Sequence, residues 1–83
     1  MQMQLPTSQW TNLGSGPLVL RAEVEPFQWI VGTEPLDAPG NEPTHCGSFV
    51  IPGQGSQTAT TGDSQNIYVA PLRPGATAVY SAP

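Results

Sequence analysis

An all-β fold, a small single-domain sandwich or barrel, is what this chain predicts, on three observations. Apolar and polar residues alternate with a period of two over residues 18–24, 27–31, 66–70 and 76–80, as a strand with one buried face requires. Nine glycines and ten prolines in 83 residues punctuate the chain at short intervals. No stretch carries a convincing apolar repeat at helical spacing. About six to seven short strands joined by Gly/Pro loops is the reading.

The chain begins with MQMQLPTSQ. Residues 1–9 form an extended N-terminal arm, with Met1, Met3 and Leu5 on one side and Gln2 and Gln4 on the other. That is a strand pattern set outside the domain proper at 10–83. Residues 10–14, WTNLG, read as a first short strand ending in a turn, and GSGP at 14–17 is a loop.

Residues 18–31, LVLRAEVEPFQWIV, are the densest apolar stretch, and the rest of the fold is organised on them. Leu18, Leu20, Ala22 and Val24 share one face, and Val19, Arg21, Glu23 and Glu25 the other. A helix would bring Arg21 onto the side of Leu18 and Val24. Pro26 cannot donate to a ladder, so the first run ends or bulges there. Phe27, Trp29 and Val31 then alternate with Gln28 and Ile30. One residue is too short a link for a tight hairpin. The stretch is either one strand bent at Pro26 or two strands turning a corner between sheets, with Trp29 in the core.

Residues 32–47, GTEPLDAPGNEPTHCG, form a long loop in which Pro35, Pro39 and Pro43 forbid a helix and favour an extended surface path. Loops of this length in compact domains are commonly functional or disordered. SFVIP at 48–52 is a short strand with Phe49 and Ile51 on one face. Residues 53–65 are rich in Gly, Ser, Thr and Gln, and make either a loop or an edge strand over 57–61. NIYVA at 66–70 and ATAVYS at 76–81, separated by a turn after Pro71, read as a terminal hairpin.

Composition narrows the function. The chain has no lysine. Arg21 and Arg73 are its only cations against six carboxylates, a formal net charge of −4. Phosphate backbones and anionic membrane surfaces are poor partners for such a chain, so nucleic-acid binding and membrane association are not expected. The opening residues lack the basic and apolar segments of a signal peptide, and no run approaches the roughly 20 apolar residues of a transmembrane helix. Synthesis in a cytoplasm is expected. Cys46 is the only cysteine, so no disulfide supplements a core that is marginal at this size. Small domains without such staples borrow stability from a partner or from copies of themselves.

No catalytic, cofactor-binding or metal site is expected. His45 and Cys46 are neighbours on an extended chain and point apart, which does not make a base–nucleophile pair. Glu34, Asp37 and Glu42 lack the spacing of a calcium loop. Paired carboxylates for glycoside hydrolysis need a rigid cleft that a domain this small hardly provides. Trp10, Trp29, Tyr68 and Tyr80 allow a glycan-stacking platform, but core and half-buried sheet positions account for them more simply. The GSG and GQG runs lack the lysine and helix of a phosphate loop. Contact with other proteins remains, carried by the arm and the long loop, with Met1, Met3, Leu5, Leu36 and Asp37 as the contact residues.

The WTNLGSGPLVL segment and the closing NIYVAPLRPGATAVYSAP resemble small accessory virion proteins of tailed bacteriophages, among them head decoration proteins and the small β domains of fibres and tails. The resemblance spans both ends and omits the 32–47 loop. It implies a structural virion role, most directly as a capsid decoration (cement) protein. The partner would be the major capsid protein or another virion protein, and such proteins commonly form trimers or sit around a symmetry axis. It assigns no functional residue. A small β binding module for surface glycans and a tail or fibre component are the alternatives.

Overall fold

A computed structural model describes residues 1–33 and 47–83. Eight strands run through them, with no helix: β1 (Gln2–Gln4), β2 (Thr11–Gly14), β3 (Leu18–Ala22), β4 (Phe27–Gly32), β5 (Gly47–Val50), β6 (Gln57–Ala59), β7 (Asn66–Pro71) and β8 (Thr77–Ser81). They make two four-stranded sheets, ordered β1-β8-β3-β6 and β2-β7-β4-β5, in which every pairing is antiparallel. The architecture is a β-sandwich. Its Cα radius of gyration, 11.2 Å, is near the roughly 12 Å expected of a single compact domain this long.

The core lies between the sheets. Leu20, Ala22, Ala59, Ala76 and Ala78 enter it from the first sheet side, and Phe27, Val50, Ile67 and Val69 from the second. The alternating register makes this possible, because pairs such as Leu20↔Tyr80 and Phe27↔Val50 face the same way. The other face of the second sheet is also buried along Gln28, Ile30, Tyr68 and Ala70. Ile30 is thus interior, although it falls on the side of the strand opposite Phe27.

The central stretch is two strands in two sheets. β3 ends at Ala22, residues 23–25 bend, and β4 begins after Pro26. Val24, expected on the apolar face, is therefore outside the strand and 73% exposed. Trp29 is half-buried and packs against the core instead of sitting wholly within it. In the fifth strand Val50 is buried, while Ile51 lies beyond the strand end and is exposed, so Phe49 and Ile51 do not form its inner face. The 57–59 segment adopts the edge-strand alternative and closes the first sheet beside β3.

The terminal hairpin does not form. β7 pairs with β2 and β4, whereas β8 pairs with β1 and β3. Residues 72–76 carry the chain from one sheet to the other. Ile67 and Val69 fill the core from one side, and Ala76 and Ala78 line it from the opposite side. A hairpin would have placed all of them on one sheet and left the opposite layer without Ala76 and Ala78.

The arm belongs to the domain. β1 is the edge strand of the first sheet, paired to β8 through Gln2↔Val79, Met3↔Ala78 and Gln4↔Thr77. Its alternation, read as a pattern waiting for an outside partner, is satisfied by a strand of the same chain.

Candidate interaction surface

Edges and ends are where this sandwich meets its surroundings. At the β1 edge, the Tyr80 N–H donates to the Met1 carbonyl at 2.8 Å, and the Met1 amino group donates to the Tyr80 carbonyl at 2.6 Å. The Leu5 N–H donates to the Ala76 carbonyl at 2.9 Å. These bonds hold one side of β1, and among the described residues no further strand of the first sheet lies beyond it. Such an edge offers backbone groups for pairing with another chain.

The five expected contact residues separate here. Met1 is 82% exposed. Met3 is half-buried against the core, and Leu5, 3% exposed, is part of it. Leu5 is therefore a core residue and not a surface contact: it follows β1 directly, and its N–H bond to the Ala76 carbonyl holds it against the first sheet. Leu36 and Asp37 lie outside the described residues, as do His45, Cys46 and the acidic positions Glu34 and Glu42.

The end of the sandwich formed by residues 23–26 and 51–54 was missed by strand reasoning. Val24 and Ile51 expose their side chains there, and the Leu72 N–H ties this end together by donating to the Pro26 carbonyl at 3.2 Å. The signal that bears on it is Pro26, which ends the β3 run before Val24 can turn inward.

Charge is locally neutralised. Arg21 lies 3.1 Å from Glu23, and Arg73 lies 3.9 Å from Glu25. Each of the chain's two cations thus has a carboxylate beside it. Both pairs are largely exposed, so they contribute little to stability, yet they leave neither arginine to act alone on an anionic partner. Among the described residues no group of three or more His, Cys, Asp and Glu is placed to hold a metal ion, and no helix is long and apolar enough to cross a membrane.

A polar clasp joins the two sheets at their other edges. The Trp29 indole N–H donates to Gln57 Oε1 at 3.0 Å, and Gln57 Nε2 donates to the Phe49 carbonyl at 2.6 Å. One glutamine on β6 thereby binds β4 and β5 of the facing sheet. Trp29 is committed to the fold by this bond, Tyr68 is buried, and Tyr80 packs against the core. These three aromatics do not form an outward stacking platform. The chain matches no family model, no curated protein and no solved structure.

Proposed function

We propose that this chain is a structural virion protein, a capsid decoration protein that binds the assembled particle and stabilises or decorates it by protein–protein packing, without catalysis. The observation that carries the reading is the open edge of the first sheet at β1, flanked by the exposed Met1 side chain. An edge strand with free backbone groups and an apolar neighbour is suited to strand addition onto a partner. The similarity of both chain ends to accessory virion proteins of tailed bacteriophages supports the virion context and the major capsid or another virion protein as the partner. A homo-oligomer around a symmetry axis fits the same reading.

The glycan-module alternative is less well supported, since Trp29 and Tyr80 pack against the core and Tyr68 is buried on the other face of its sheet. The test is sedimentation of purified particles from the source culture, with the chain quantified across the gradient. Co-migration at a constant ratio to the capsid protein is expected. Recovery only in the unsedimented fraction would refute the reading.

A further inference from the structure

We propose that β1 is an exchangeable strand: the segment of residues 1–5 leaves its own sheet and docks on β8 of a second copy of this chain, which returns its own segment in the same way. The fold itself supplies the occupant. The slot beside β8 is filled by this very sequence, with Leu5 buried in the core and the register fixed from Gln2↔Val79 to Gln4↔Thr77. A second copy presents the same side chains to the same slot, so exchange preserves the Tyr80 N–H to Met1 bond, the Leu5 N–H to Ala76 bond and the burial of Leu5. Its cost is association, which falls as copies are concentrated.

The hinge favours opening. Residues 6–10 fold the chain from the first sheet back to β2 in the second, and Ser8 holds φ at +60°, a left-handed conformation that side chains other than glycine seldom adopt. Pro6 stiffens the same link. Short hinges under strain invite domain swapping, because the extended hinge of the exchanged form releases the strained residue. β1 is also short and singly paired: it has only three residues and pairs on one side, with β8 alone. Extended, residues 6–10 reach up to roughly 17 Å, enough to pass between adjoining copies.

The experiment uses purified full-length protein and does not depend on the virion reading. Gln2 and Val79 are cross-strand neighbours next to the hydrogen-bonded Met1–Tyr80 pair, so they occupy a non-hydrogen-bonded position, where Cα atoms approach closely enough for a disulfide. In a Cys46→Ser background, Gln2→Cys chains are mixed with Val79→Cys chains, unfolded in urea, refolded together at high concentration and oxidised. A disulfide between positions 2 and 79 then arises only between copies. The control pairs Gln2→Cys with Asp63→Cys, an exposed position in the turn before β7. A mixed disulfide at least tenfold above the control is expected, and Ser8→Gly, which removes the hinge strain, should reduce it severalfold. Mixed disulfide no greater than the control would overturn the proposal, as would a Gln2→Cys/Val79→Cys chain that closes only on itself under the same refolding.

Discussion

A Cβ at position 16 would stand 2.7 Å from the Ala59 carbonyl oxygen and 3.0 Å from Ile67 Cδ1. Ala59 lies in one sheet and Ile67 in the other, so Gly16 sits where the two layers come together. Its N–H also donates to Thr61 Oγ1 at 2.9 Å, which fixes the loop in place. Gly16→Ala forces backbone or sheet to shift and should destabilise the domain by about 1–3 kcal/mol. For a chain this short each kcal/mol lowers the melting temperature by about 4–8 °C, so calorimetry reads the effect directly; an unchanged transition would show that the layers yield freely at this point. The clasp is a second residue-scale test. Gln57→Ala strands the part-buried Trp29 N–H, at a cost of about 1–3 kcal/mol. Combining it with Trp29→Phe in a double-mutant cycle should show less than additive loss, since both changes break one bond. Full additivity would mean that the clasp is not formed.

At the scale of elements, the strands were legible in the sequence and their partners were not. Alternation marks 18–24, 27–31, 66–70 and 76–80, a local property, and it locates strands even where β4 and β7 bury both faces. Pairing is decided by which layer lacks apolar side chains, a property of the whole core. Residues 72–76 look like a hairpin turn in isolation, yet they are a crossing between sheets. Residues 1–5 look like an unpartnered arm because their partner, β8, lies at the far end of the sequence. The same gap separates the expected contact residues: Met1 is exposed, while Leu5 is interior because the segment it ends is tied to β8 and Ala76. Val24 departed from its pattern for a local reason, since Pro26 stops the strand short of it. This pairing makes a sharp expectation for hydrogen exchange. Removing residues 1–4 should expose the Tyr80 amide, which donates to Met1, and speed its exchange to near that of free chain. The amides of β7, paired on both sides with β2 and β4, should stay protected. Protection of Tyr80 that survives the truncation would argue against the β1–β8 pairing.

As a whole the molecule is a small sandwich with a marginal core, paired surface cations and open sheet edges. Leu5 binds the edge strand into that core, so Leu5→Ala should cost about 2–5 kcal/mol, a large part of the stability of a domain this size. Removing residues 1–4 while keeping Leu5 separates edge from core: it takes away the outward strand and spares the buried side chain. A decoration protein of the kind proposed works by packing its sheet edge onto a larger assembly. The most direct measurement is co-sedimentation of purified protein with particles stripped of it, comparing the intact chain with the chain lacking residues 1–4, both first shown to be folded. The intact chain should saturate the particle at a fixed copy number, and the truncated chain should bind at least tenfold more weakly. Absence of saturable binding by the intact chain, or equal binding by both, would contradict the account.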